Sequence, residues 1–187
     1  MSGVPIRLNT AELREWAPRL RLGDRVLLSG VIYTARDAAH KRFFEHLDAG
    51  KPLPIDVKDA VIYYAGPTPG KGDMAVGACG PTTSGRMDGY APRLLDLGLV
   101  AMIGKGNRDK TVVEAMIRNG AVYFAAVGGA GALVASAIRS SQVVAFPELG
   151  CESVKRMEIL DMPLTVAIDA AGGSLYEKGP AQYRKAR

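Results

Sequence analysis

The sequence is poor in the residues that bind metals. It has two cysteines, Cys79 and Cys151, and two histidines, His40 and His46, in 187 residues. The cysteines form neither a C-x-x-C pair nor a disulfide framework, and the histidines do not complete a zinc-ligand spacing with them. A [4Fe–4S] cluster takes several thiolates from one site, so this chain is expected to bind no cluster and no metal by itself. Aromatic residues are only 6%, and no Arg/aromatic alternation marks a platform for single-stranded nucleic acid. No apolar run reaches the ~18 residues of a membrane span, and Met1–Ile6 lacks the apolar stretch of a signal peptide. These absences predict a cytoplasmic protein with no nucleic-acid and no membrane partner.

What is present is globular in balance: 48% hydrophobic and 23% charged residues, close to average for a folded domain. One domain over 1–187 is expected, with a basic tail after about 178. Lysine and arginine number 24 against 19 acids, a net charge of +5. Outside the tail the basic residues are scattered, a distribution that suits a small anionic ligand.

Periodicity gives the elements. Leu13, Trp16 and Leu20 sit at helical spacing behind an Asn9 or Thr10 cap. A strand is expected over Arg25–Tyr33. Ala39, Phe43 and Leu47 predict an amphipathic helix over 37–48. Further strands are expected over 60–65, 74–79, 99–103, 121–127, 142–146, 154–159 and 163–169. Helices are expected over 87–97, over 111–119 with Gly120 just past the end, and from Gly131 to about 138. Strand and helix alternate in the middle, and the whole predicts one α/β domain with a mixed sheet.

Several strand ends run into glycine-rich turns, where open α/β sheets bind ligands. Gly66–Gly72 contains Gly70-Lys71 but has Ala65 and Gly72 where a phosphate-binding loop needs Gly and Ser or Thr, so it reads as a solvated turn. Gly128–Gly131 has Val134 at the third glycine position of a dinucleotide fingerprint and reads as tight helix–sheet packing. Gly80-Pro-Thr-Thr-Ser-Gly-Arg-Met-Asp88 differs, because it puts three hydroxyls and a guanidinium on one turn. Arg86 can bind a carboxylate bidentately, and the hydroxyls can relay a proton; the alternative is a capped helix start. Arg36-Asp37-Ala-Ala-His40 lies at another strand-to-helix junction, with Asp37 as a candidate cap. Lys105 stands between two glycines at a third strand end, either near a ligand or as a turn lysine.

Tyr33-Thr-Ala-Arg-Asp-Ala-Ala-His40, Tyr64-Ala-Gly-Pro67, Gly80–Asp88, Gly104-Lys-Gly106 and Met162–Asp169 occur in this order. The set resembles the β subunit of class I, iron–sulfur-dependent fumarate hydratase and that of its relative L(+)-tartrate dehydratase, over about residues 5–180. The resemblance implies a swivelling β/β/α domain that closes over a second component. That component is an α subunit carrying a [4Fe–4S] cluster, in an α2β2 assembly. It also implies that Arg36 and Arg86 bind substrate carboxylates, that Lys105 holds the substrate, that Thr82 is the catalytic base, and that His40 has a catalytic role. Reversible hydration of fumarate to (S)-malate needs cations for the aci-carboxylate formed as a proton leaves. A threonine hydroxyl can act as a base only where nearby cations stabilise its alkoxide. Two alternatives remain: a dehydratase of tartrate or another hydroxy-dicarboxylate on the same scaffold, and a non-enzymatic small-anion-binding domain.

Overall fold

The computed structural model describes residues 4–126 and 131–178. In chain order the strands are β1 (Ile6–Asn9), β2 (Arg25–Thr34), β3 (Val61–Tyr63), β4 (Ala101–Gly104), β5 (Val122–Ala125), β6 (Ile138–Ala145) and β7 (Val154–Ile168). The α-helices are α1 (Leu13–Trp16), α2 (Asp37–Asp48), α3 (Ala91–Asp96), α4 (Lys110–Asn119) and α5 (Gly131–Ser136), with 3-10 turns at 10–12, 84–87 and 147–152. The expected single mixed sheet of an α/β fold is present, in the order β1-β2-β3-β4-β5-β7-β6.

Strands β1 to β5 run parallel to one another. Strand β7 runs antiparallel to β5, β6 and β2. Because β7 pairs with both β5 and β2, strands β2-β3-β4-β5-β7 close into a ring with β1 and β6 outside it. Closure removes exposed edges from those five strands. It also requires β2 and β7 to bend together. Gly30 provides the bend in β2 at φ +114°, where an added Cβ would lie 2.3 Å from Thr10 Oγ1. Asp161 provides it in β7 at φ 52°, and the register shifts between these points.

Side chains alternate across the sheet with the period-2 pattern of a strand. Tyr63, Ile103 and Phe124 pack with Leu28, Met157 and Leu164 in one core. Ile62, Met102 and Tyr123 point to the other face, onto Phe43 of α2, Leu94 of α3 and Met116 of α4. Both faces of the parallel strands are therefore buried, which explains their continuous apolar runs.

Several sequence expectations are corrected. Residues 74–79 are not a strand. Gly77 folds back so that its amide donates to the Thr68 carbonyl at 2.8 Å, and an added Cβ there would meet Thr68 Oγ1 at 2.3 Å. The expected strands 154–159 and 163–169 are one strand, because Asp161 bends β7 without ending its pairing with β2. Strand β6 starts at Ile138, four residues early, and α1 stops at Trp16. The helix expected over 87–97 is a 3-10 turn at Ser84–Met87 followed by α3, since Pro92 is tolerated only in a first turn. Strand β1 has no counterpart in the expectations. Asn9 makes a full capping box with Glu12, but it caps the 3-10 turn at 10–12 that precedes α1 and not α1 itself. Most of the Gly128–Gly131 turn, Val127 and the tail beyond 178 lie outside the described residues.

Candidate active site

Parallel strands β2, β3 and β4 all deliver their carboxyl ends to one side of the sheet, and the chain leaves each through a loop. Backbone and side-chain bonds stitch these loops together. The Thr82 amide donates to the Tyr64 carbonyl at 2.7 Å, and the Ser84 amide to the Lys105 carbonyl at 2.9 Å. Thr83 and Lys105 form a parallel bridge. Arg86 Nη2 donates to Asp37 Oδ2 at 2.8 Å, tying this loop to the head of α2. Arg36, Thr82, Arg86 and Lys105 are thus brought to one side of the fold on three linked loops.

Each loop has a packing reason for its sequence. Gly104 is glycine because a Cβ would lie 2.0 Å from Ser84 Oγ. Ser84 is buried and bonds Tyr123 OH at 2.8 Å, while Tyr123 OH donates to the Gly106 carbonyl at 3.0 Å. The tyrosine proton is committed to Gly106, so Ser84 is the donor to Tyr123. Burial raises the Tyr123 pKa above its ordinary value and keeps it a neutral donor. The Gly106 amide in turn donates to Tyr176 OH at 3.1 Å. Lys105 is exposed on this braced turn, and Thr82 is half-buried beside it.

Behind the loops lies a charge pair that the sequence reading missed. Arg108, its side chain fully buried, bonds Asp88 Oδ1 at 2.6 Å and stacks between the rings of Tyr64 and Tyr123 at 5.2 and 5.1 Å. Asp88 Oδ2 also accepts the Asp109 amide at 2.7 Å. A buried pair of this kind requires every partner in place, so it anchors the start of α4 to the end of the Gly80–Asp88 segment. The position of Asp88 inside that segment was the available signal; nothing in spacing pointed to Arg108.

Arg36 leaves β2 with 20% of its side chain exposed and pairs through Nη2 with Glu152 Oε1 at 3.1 Å. Its guanidinium lies against Gly66, where a Cβ would be 3.2 Å from Nη1. Asp37 makes no capping bond to α2, contrary to expectation, and turns to Arg86 instead.

His40 is not brought to the open side. It is fully buried against Phe43, Tyr64 and Tyr90, with ring centroids 5.6–5.9 Å away. Its Nδ1 lies 2.8 Å from the Arg36 carbonyl and must be the protonated nitrogen to bond it, while Nε2 has no partner. Burial lowers its pKa to about 4, so the ring is neutral near pH 7.

A cavity of about 380 Å³ lined by Pro67, Val76, Val143, Cys151 and Lys155 holds none of the four loop residues. Neither does one of about 470 Å³ beneath Leu53–Lys58. Arg86 and Lys105 are exposed, Thr82 is half-buried, and Arg36 is mostly covered. Among the described residues, no group of three or more His, Cys, Asp or Glu could hold a metal. Cys151 is exposed, whereas burial pushes the Cys79 thiol up to about 12, away from the thiolate a metal requires. These donors do not fit an iron–sulfur cluster. No described helix is long and apolar enough to cross a membrane.

Comparison with known proteins bears on the same segments. The family model "Fumarase C-terminus" matches residues 2–179. "Fumarate hydratase 2" of Leishmania major is 38% identical over 94% of this chain and 31% of its own length. "Fumarate hydratase class I, anaerobic" of Escherichia coli is 37% identical over 93% of this chain and 31% of its own length. The chain therefore spans about a third of these enzymes. "Putative L(+)-tartrate dehydratase subunit beta" of Methanocaldococcus jannaschii is 39% identical over 86% of this chain and 85% of its own length. With a family match across nearly all its residues, the chain belongs to the fumarase C-terminal domain family, whose named relatives are hydro-lyases.

Proposed function

We propose that this chain is the β component of a class I fumarate hydratase, reversibly hydrating fumarate to (S)-malate in a site shared with an α component. The observation that carries the reading is the linked-loop set of Arg36, Thr82, Arg86 and Lys105, joined by the Arg86–Asp37 and Ser84–Lys105 bonds. The exposure of Arg86 and Lys105 supports a site completed by a second component, as does the length of the fumarate hydratases beyond the matched third. The name of the Methanocaldococcus jannaschii relative, a subunit, favours a separate partner chain, with α2β2 as the assembly. The [4Fe–4S] cluster belongs to that partner, in keeping with the donors absent here.

This chain supplies carboxylate binding and proton transfer. Arg36 and Arg86 take the two carboxylates, Arg with its planar fork being the better carboxylate ligand. Lys105 adds a mobile positive charge. In the dehydration direction a proton leaves the carbon beside a carboxylate, which gains negative charge as the aci-carboxylate, and fixed cations stabilise it most where water is excluded. Thr82 Oγ1 takes the proton, its alkoxide stabilised by the same cations. His40, neutral and buried, acts by fixing the Arg36 carbonyl.

The test is a set of variants in the complex with the α component, assayed anaerobically on malate. Thr82→Val is expected to lower kcat at least ~100-fold with little change in KM, as loss of a proton-transfer group does. Arg86→Gln is expected to lower kcat/KM about 100-fold, mainly through KM. An Arg86→Gln enzyme with normal kinetics overturns the assignment. A tartrate dehydratase on the same residues is the second reading, favoured by the relative matched along most of its length. A higher kcat/KM on tartrate than on malate selects it.

A further inference from the structure

The acids around the two arginines form a continuous alternating chain. Glu152 Oε1 lies 3.1 Å from Arg36 Nη2, Arg36 Nε lies 3.8 Å from Asp37 Oδ1, and Asp37 Oδ2 lies 2.8 Å from Arg86 Nη2. The order Glu152–Arg36–Asp37–Arg86 links the 3-10 turn before β7, the head of α2 and the Gly80–Asp88 loop. Asp37 sits in the first turn of α2 yet gives no capping bond to it, so the helix does not account for its orientation. Both Arg36 Nε and Asp37 Oδ1 are buried and lack a hydrogen-bond partner. The Asp37 side chain is 35% exposed, with Oδ1 turned toward Arg36 and Oδ2 bonded to Arg86.

We propose that Asp37 is a positioning residue that clasps Arg86 to Arg36 and so sets the spacing between the two carboxylate-binding guanidiniums. This rests on the reading of Arg36 and Arg86 as substrate ligands. Asp37 touches no reacting atom in this role; it acts through Arg86. Free to rotate on its long side chain, Arg86 would sample many positions. Bonded to Asp37, it presents its remaining N–H groups along one direction.

The experiment is a double-mutant cycle of Asp37→Asn and Arg86→Gln in the complex with the α component. Asp37→Asn keeps the size and one acceptor oxygen while removing the charge. In the otherwise native enzyme it is expected to raise KM for malate roughly tenfold with kcat changed less than about threefold. In the Arg86→Gln background the same change is expected to alter KM by less than about twofold, since the residue it acts through is gone. Asp37→Glu is expected to recover part of the loss, and thermal unfolding measured on each variant separates folding from positioning. Equal effects of Asp37→Asn in the two backgrounds overturn the clasp. An inactive native complex with an intact cluster overturns the functional reading instead. The clasp is then read on the chain itself by 15N relaxation of the Arg86 Nε–H. An ordered group loosened by Asp37→Asn supports it, and one unchanged by the substitution overturns it.

Discussion

His40 is neutral because it is buried, and that has a measurable consequence at the level of one side chain. In the unfolded chain its imidazole takes a proton near pH 6.5, but the folded protein resists protonation down to about 4. Between those values the unfolded state binds more protons, so stability falls as the pH is lowered. The shift corresponds to up to about 3 kcal/mol lost between pH 6.5 and 4. Urea unfolding midpoints across this window are expected to fall more steeply for the native chain than for His40→Asn, whose amide can still donate to the Arg36 carbonyl without titrating. Parallel slopes would contradict the neutral, inward-facing histidine. Arg36-Asp37-Ala-Ala-His40 lies at the junction of β2 and α2, as its sequence predicts. The side chains nevertheless divide, Arg36 and Asp37 toward Glu152 and Arg86, His40 into an aromatic core. Sequence spacing places residues on a helix face but does not show how deeply that face is sunk.

Strands, helices and turns follow their local patterns wherever neighbours in sequence decide the structure. Helix α2 appears at Asp37–Asp48 as its i, i+4, i+8 spacing requires, and α4 ends on Gly120 at φ 61°. Legibility fails where long-range pairing decides. Residues 74–79 form a short run of apolar and small residues that reads as a strand, yet the Gly77 backbone is claimed by Thr68. Strand β1, with only Leu8 buried among Ile6–Asn9, exists because β2 offers it an edge. Strand β7 stays whole through Asp161 because β2 bends with it at Gly30. The loop contacts of the site obey the same logic, since the glycine at 104 answers to Ser84, twenty residues earlier. Gly104→Ala is expected to push Ser84 off Tyr123 and to cost about 1–3 kcal/mol, and adding Ser84→Ala should recover part of this in urea unfolding. A Gly104→Ala chain as stable as the native one would show that the loop does not depend on that close approach.

At the scale of the whole molecule, a closed ring of five strands holds the three linked loops on one side, with the buried Arg108–Asp88 pair bracing them from behind. Arg86 and Lys105 stand open to solvent, where charges interact weakly. The proposed reaction would need a second surface that shuts out water, and the chain spans only about a third of the related fumarate hydratases. The sequence made the cations visible and the missing cluster ligands obvious. It did not make visible that Arg86 and Lys105 stand exposed while His40 is buried. The most direct measurement is anaerobic fumarate hydration by this chain alone, by a cluster-loaded class I α component alone, and by the two mixed. Activity in the mixture only, lost on Thr82→Val, is the predicted result. A formed complex with an intact cluster that hydrates no fumarate would contradict it, as would activity undiminished by removing this chain.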